Sequence, residues 1–360
     1  MHYTINAGDC KCKKRAFCKK RAEFPQNVFS SALTNSGGDG TMKKKNTREK
    51  RDVMYPLKLK YYAKTALWGG DTLKREWNKP CDFDKLAETW ELTVRPEADN
   101  EITEGDLAGT KLGDFLAESD FPLLVKFIDA RDDLSVQVHP DDKYAHEVEN
   151  DFGKTEMWYI VAAEENAKII YGLRDGLSAE DFGKAFAEGR IFDAMKTVDI
   201  HAGETYFIPS GMIHAIGAGC LIAEIQQNSD LTYRVYDYDR VGADGKLREL
   251  HTKKALDVIR PFTEAEIDAI RYSRTAALDV GECLASCPYF EVHQVKPCGA
   301  PVALSVDNRS CHHLLCVGGN GEIVCGGSRY PVTRGDSYFL PAGMGDYSLG
   351  GDVTVLLSTI

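Results

Sequence analysis

The stretch Gly203-Glu204-Thr205-Tyr206-Phe207-Ile208-Pro209-Ser210-Gly211-Met212-Ile213-His214 is echoed by Gly335-Asp336-Ser337-Tyr338-Phe339-Leu340-Pro341-Ala342-Gly343-Met344-Gly345-Asp346. In each copy a glycine turn leads into a short aromatic strand, and Pro-x-Gly ends it. Each copy follows a hydrophobic strand and a Gly-containing turn, Val161 to Gly172 in the first and Leu314 to Gly327 in the second. Self-similarity of this kind reads as two related β units. The second has Asp346 where the first has His214.

Outward from the repeat, the chain alternates short β-rich runs with Gly/Pro punctuation. Leu123–Ile128, Met157–Val161, Lys168–Tyr171 and Thr205–Ile208 are rich in β-branched and aromatic side chains, the composition of strands in a barrel or sandwich. Helical text is limited. Ser178-Ala179-Glu180-Asp181 opens one helix, with Phe182, Ala185 and Phe186 at helical spacing and a break at Gly189. Thr252 opens a second over Lys253–Arg260, stopped by Pro261, and Thr263-Glu264-Ala265-Glu266 has the form of a capping box. The expected fold is mainly β: two jelly-roll barrel units with a few short helices, the last two helices bridging the units at 250–275.

Composition bounds the function. The 360 residues carry a formal charge of −11, with 43% hydrophobic and 28% charged residues. That content fills real cores and suits two domains of about 150 residues. No apolar run of about 18 residues exists, so no membrane-spanning helix is expected. The charge is partitioned. Residues 1–53 hold 13 Lys/Arg against 5 Asp/Glu, and residues 54–360 hold 31 against 50. An acidic body excludes a general nucleic-acid binder. The basic segment 1–53 lacks the apolar core of a secretory signal. Among a nucleic-acid or anionic-surface arm, an organellar transit segment and a disordered extension upstream of a natural start at Met54, the last is the reading adopted. The 11 cysteines form no paired C-x-x-C units. They read as buried reduced thiols rather than a disulfide scaffold or a zinc ribbon, in a cytoplasmic protein.

The string Gly-x5-Pro-x-Gly-x2-His resembles the second motif of the cupin superfamily, small jelly-roll barrels with a metal inside. The Asn that often closes the motif is replaced by Ala218. A metal needs several donors converging on one point. On a strand, alternate side chains share a face, so Ser135, Gln137 and His139 of Leu134-Ser135-Val136-Gln137-Val138-His139-Pro140 point together. Glu156 opens the next strong strand, with Lys154 on its own face. With His214 these residues offer two imidazoles, a carboxylate and an amide oxygen, a set that suits catalytic zinc and equally non-haem iron. A lone strand histidine is more often a packed or solvated residue, so the combination carries the reading. His201, His251 and His293 read as structural or surface residues. His312 and His313 find no matching histidine near Asp346, so the second unit reads as metal-free.

The ordered pieces Met54-Tyr55-Pro56-Leu57, Trp68-Gly69-Gly70, Glu88-Thr89-Trp90-Glu91-Leu92, Val125-Lys126-Phe127-Ile128-Asp129-Ala130, Leu134 to Asp142, Gly153-Lys154-Thr155-Glu156-Met157-Trp158, Pro209 to Ala215 and Glu224 to Arg240 resemble type I mannose-6-phosphate isomerases of the short bacterial form. The resemblance covers roughly 54–360. It implies a catalytic cupin domain over 54–275 and a degenerate, metal-free cupin domain over 276–360. It further implies zinc, one ion per chain, on Gln137, His139, Glu156 and His214. Arg234 is the implied catalytic arginine, and Lys126, Ser135, Lys154 and Glu224 are the other active-site positions. The implied reaction interconverts mannose 6-phosphate and fructose 6-phosphate through an enediolate. In that chemistry Glu224 is the candidate proton shuttle, Arg234 and Lys154 act in catalysis, and Lys126, Ser135, Lys154 and Arg234 bind the phosphosugar. An iron cupin enzyme and a non-catalytic sugar-phosphate-binding cupin are the alternatives. The expected partner is the phosphosugar alone, with neither nucleic acid nor membrane, and the expected state is a monomer or weak homo-oligomer.

Overall fold

Strands dominate the computed structural model, which describes residues 55–117, 121–242 and 245–360. The basic segment 1–53 and the start at Met54 lie outside the described residues. Everything described belongs to one compact unit, Lys50–Ile360. No helix among the described residues is long and apolar enough to cross a membrane.

Two sheets build the first half. A six-stranded sheet runs in the order Thr205–Ile208, Glu156–Ala163, Cys220–Gln227, Leu123–Ala130, Glu88–Leu92, Tyr62–Lys64. A five-stranded sheet runs Met195–Asp199, Lys168–Leu173, His214–Ile216, Val136–Val138, Tyr233–Tyr236. The central strands Leu123–Ala130 and Cys220–Gln227 are buried at every position, so they read as continuous apolar runs rather than alternations. Against that background Lys126 and Glu224, polar and paired directly opposite each other, stand out.

The third sheet has nine strands and holds the C-terminal half, including the long strands His312–Cys325 and Gly345–Thr359. It also takes in the first described strand, Leu57–Lys60, which pairs with Ser337–Leu340 in the register Leu57↔Phe339. This differs from the expected pair of separate barrels: among the described residues no sheet closes on itself, and strands from both sides of residue 275 share one sheet. The core is continuous in the same way, since Leu57, Trp77 and Phe127 lie in one buried cluster with Phe339 and Leu356. A buried ion pair reinforces the join. Lys79 Nζ sits 2.7 Å from Glu91 Oε1 and donates to the Gly335 carbonyl at 2.9 Å, while Ser337 Oγ donates to the Glu91 carbonyl.

The repeat is visible in the backbone. Gly203 and Gly335 both have φ of +92°, and Gly211 and Gly343 have φ of +87° and +79°, the left-handed region that glycine enters without strain. Met212 N–H donates to Pro209 O and Met344 N–H to Pro341 O, each at 3.1 Å. The helices expected at Ser178 and Thr263 form as Ala179–Ala187 and Glu264–Arg271, each with a reciprocal capping box. The helix at Thr252 ends at Val258 rather than Arg260. Pro261 disfavours helical geometry in the residue before it, and the Arg260 N–H instead reaches the Gly211 carbonyl. Cys81, Cys220, Cys283, Cys287, Cys298 and Cys316 are thiols.

Candidate metal centre and active site

Strand register lays the site out as two facing rows. Across the five-stranded sheet, Tyr171 pairs with His214, His214 with Gln137, and Gln137 with Arg234. Across the six-stranded sheet, Tyr206 pairs with Trp158, Trp158 with Glu224, Glu224 with Lys126, and Lys126 with Trp90. Directly paired residues project to one side of a sheet. Glu156, two residues before Trp158, therefore shares its face. The rows meet where Tyr171 packs edge-on to Tyr206 at 5.3 Å and Trp158 edge-on to His214 at 5.5 Å. The opposite face of Val136, Val138 and Tyr233 enters a separate core cluster, which leaves Gln137 and Arg234 to the site side.

His139, Glu156 and His214 converge at the centre. All three are buried, with ligand atoms within 4.8 Å of one another. His139 Nε2 lies 3.5 Å from Glu156 Oε2 and His214 Nε2 3.5 Å from Glu156 Oε1. Each imidazole is oriented from behind: His139 Nδ1–H donates to Leu231 O at 2.7 Å and His214 Nδ1–H to Met212 O at 2.8 Å. That tautomer leaves both Nε2 lone pairs aimed at the same point. Burial holds both imidazoles neutral, His139 well below the usual histidine range and His214 down to about 4. The Gln137 amide stands 3.4 Å from His214 Nε2, and rotating the amide by half a turn presents its oxygen to the same centre.

These donors fit a bound cation. His139 Nε2 and both Glu156 carboxylate oxygens are buried with no hydrogen-bond partner. Lys154 Nζ lies 3.1 Å from Glu156 Oε2 as an ion pair, off hydrogen-bond geometry. Burial, with Glu224 nearby, raises the Glu156 pKa to about 7 against the opposing pull of Lys154 and Lys126. Neutral imidazoles, a carboxylate and an amide oxygen are ligands for zinc or iron(II), and are too few hard oxygens for calcium.

Beside this centre lies a charged cluster. Lys126 Nζ is 3.3 Å from Glu224 Oε1 and 4.0 Å from Glu88 Oε2, and Lys154 Nζ is 4.0 Å from Glu224 Oε1. Burial opposes ionisation of Glu224, yet Lys154 and Lys126 outweigh it and hold its pKa below the ordinary value. Burial likewise opposes the Lys154 ammonium, and Glu156 and Glu224 more than offset it. Ser135 is buried just before the Val136–Val138 strand. Arg234 differs from the two lysines. Among the described residues no carboxylate lies within ion-pair distance of it; Nη1 donates to the Glu249 carbonyl at 3.0 Å and Nε has no partner. Burial, with Arg248 nearby, lowers its pKa. It is the site cation most available to an incoming anion.

The structure thus gathers Lys126, Gln137, His139, Lys154, Glu156, His214 and Glu224 at one place, with Arg234 next to Gln137 at the outer end of its row. It adds groups that sequence reading passed over. Trp158 Nε1–H donates to Glu224 Oε2 at 2.9 Å. Trp90 Nε1–H donates to Glu88 Oε2 at 2.7 Å, and Lys126 lies over its ring. Their signal was alternation, since Trp158 stands two residues from Glu156 and Trp90 two from Glu88. Of the other histidines, His201 is exposed, His293 is buried against Glu291, and His251 binds the Arg234 backbone. In the second unit His312 meets the Tyr347 hydroxyl and His313 the Ser337 hydroxyl, while Asp346 is exposed.

Comparison with known proteins points one way. The family model for the type I phosphomannose isomerase catalytic domain matches residues 57–168, and that for the mannose-6-phosphate isomerase cupin domain matches 282–360. Mannose-6-phosphate isomerase ManA of Bacillus subtilis is 35% identical over 315 residues, covering 84% of this chain and 98% of the relative. Mannose-6-phosphate isomerase of Streptococcus mutans is 34% identical over 314 residues, with the same coverages. The crystal structure of mannose 6-phosphate isomerase from B. subtilis superposes with a TM-score of 0.74 at 30% identity, covering 85% of this chain and 99% of that one. A mutant phosphomannose isomerase from Salmonella typhimurium, at 16% identity and a TM-score of 0.66, covers 84% of this chain and 99% of its own, and shares the fold. The chain belongs to the type I phosphomannose isomerase family of aldose–ketose isomerases.

Proposed function

We propose that this enzyme interconverts mannose 6-phosphate and fructose 6-phosphate with one zinc ion per chain, held by Gln137, His139, Glu156 and His214. The observation that carries this reading is the buried His139–Glu156–His214 triangle, whose carboxylate oxygens have no hydrogen-bond partner, set directly beside the Lys126–Glu224–Lys154 cluster. When bound, the metal supplies Lewis-acid stabilisation of negative charge on the sugar oxygens.

The chain's own residues do the rest. Moving a proton between C1 and C2 passes through an enediolate, so a carboxylate must take the proton and return it. Glu224, held ionised by Lys126 and Lys154, fills that role. Lys154 and Arg234 offset the negative charge that develops. Arg234 and Ser135, with Lys126 and Lys154, grip the phosphosugar, and that remote binding fixes the reacting carbons. We assign catalysis to 54–275 and a metal-free role in the shared sheet to 276–360. The thiols named above suit a reducing compartment such as the cytoplasm.

A coupled assay tests this with mannose 6-phosphate, before and after dialysis against a chelator. Production of fructose 6-phosphate that is lost on chelation and restored by zinc is expected. Absence of turnover leaves a sugar-phosphate-binding cupin. Restoration by iron(II) and not by zinc would assign the same donors to iron.

A further inference from the structure

Arg234 lies on an outer strand of the five-stranded sheet. Its inner neighbour is Gln137, and its own N–H and C=O point the other way, where an edge strand ordinarily leaves them unpaired. Here they are met by a segment 17 residues on. The Arg234 N–H donates to His251 Nδ1 at 3.2 Å, and the His251 N–H donates to Arg234 O at 2.7 Å. The guanidinium is held by the same segment, through the Glu249 carbonyl at 3.0 Å. The imidazole thus stands where the carbonyl of a further strand would stand. His251 is also the residue that caps helix Thr252–Val258, yet its side chain makes no capping bond and serves Arg234 instead.

We propose that His251 is a positioning residue: by accepting the Arg234 backbone N–H on Nδ1, it fixes the direction from which the arginine addresses the substrate. The proposal rests on the reading of Arg234 as an active-site group. Only an imidazole with a free Nδ1 lone pair can do this, because the imidazolium has donors on both nitrogens. The surroundings favour the neutral form. Burial lowers the His251 pKa, Arg234 and Lys254 act in the same direction, and Glu249 and Glu149 oppose them.

The test is steady-state kinetics with mannose 6-phosphate for the wild type, His251→Leu and His251→Asn, each also in an Arg234→Ala background. Leucine removes the acceptor. Asparagine places an amide oxygen near the position of Nδ1 and does not titrate. We expect His251→Leu to lower kcat/KM about tenfold, the scale of one lost hydrogen bond at the site, and His251→Asn to recover most of it. In the Arg234→Ala background His251→Leu should cost nothing further. A wild-type-like leucine variant, an asparagine variant as poor as leucine, or a full leucine cost without Arg234 would each overturn the proposal. If the leucine variant does not fold, the ratio of asparagine variant to wild type decides. It should stay near one at neutral pH, where the wild-type imidazole is neutral, and rise only in acid below the ordinary histidine range; an asparagine variant about tenfold poorer than wild type at neutral pH is a refutation. A wild type with no isomerase activity fails the function reading itself; an active wild type with an indifferent His251 fails only this inference.

Discussion

Trp158→Phe isolates one hydrogen bond at the proposed proton shuttle. Glu224 is 3% exposed, and the Trp158 indole donates to its Oε2 at 2.9 Å. The other oxygen has Lys126 at 3.3 Å and Lys154 at 4.0 Å as ion pairs but no bond of good geometry, so the indole sets the plane of the carboxylate. Phenylalanine keeps an aromatic edge against His214 and removes only the donor and one ring. A hydrogen bond to a charged group contributes about 1.5–3 kcal/mol, which corresponds to a fall in kcat of about 10- to 100-fold if the carboxylate moves the proton. KM should change less, because the indole donates to the carboxylate and to none of the groups that grip the phosphosugar. Losing the donor also raises the Glu224 pKa, so the acid limb of the kcat–pH profile should move to higher pH. The smaller ring leaves a partial cavity, costing less stability than the roughly 3–5 kcal/mol of a truncation to alanine. The assay is kcat and KM across pH, with metal content and a thermal melt on the same preparation. A fully metallated, folded Trp158→Phe enzyme with kcat within twofold of wild type would refute the reasoning.

Other outcomes follow from the same geometry. Arg234→Ala should lose about 2.7–4 kcal/mol of transition-state stabilisation, the scale of a single oxyanion donor, read as a fall in kcat/KM of about 100- to 1,000-fold with the melt unchanged. Lys79→Met leaves Glu91 buried and unpaired, so urea unfolding should show a loss of about 3–5 kcal/mol, and Lys79→Met/Glu91→Leu should regain much of it. Acid should destabilise the C-terminal half through His312 and His313, whose pKa values burial pushes down to about 4 and about 3. The unfolded chain binds these protons first, near pH 6.5, so stability is complete above that pH and falls as pH drops towards 4. The slope is about 1.4 kcal/mol per pH unit for each histidine, and His313→Gln should flatten it by one proton in urea melts at graded pH.

Much of the site was legible because its residues lie in short, ordered strings. Strand alternation put Gln137 and His139 on one side of Val136 and Val138, and the valines do enter a core while His139 turns to Glu156 and Gln137 to His214. The Pro-x-Gly turn delivered His214. Trp158 was not legible as a partner of Glu224, since an aromatic residue in a β-rich run reads as packing. His251 escaped because its bond is from a side chain to a backbone N–H of another element, a contact without periodicity. The architecture was legible as β and as a repeat, but not in its closure. Which edge Leu57–Lys60 would join depends on a strand near the other end of the chain, and nothing in its four residues specifies Ser337–Leu340.

That pairing also sets a clock. Leu57 meets Phe339, 282 residues later, so the first described strand, paired early on one side with Glu101–Ile102, has no partner on its other side until nearly all of the protein has left the ribosome. At about 5–20 residues per second the interval is roughly 15–55 s, during which the Lys79–Glu91 pair and the Trp77–Phe127 core stay open on one side. Pairings of such long range close slowly and expose strand edges meanwhile. The nascent enzyme therefore depends on holding an unfinished sheet edge safely until its last residues arrive.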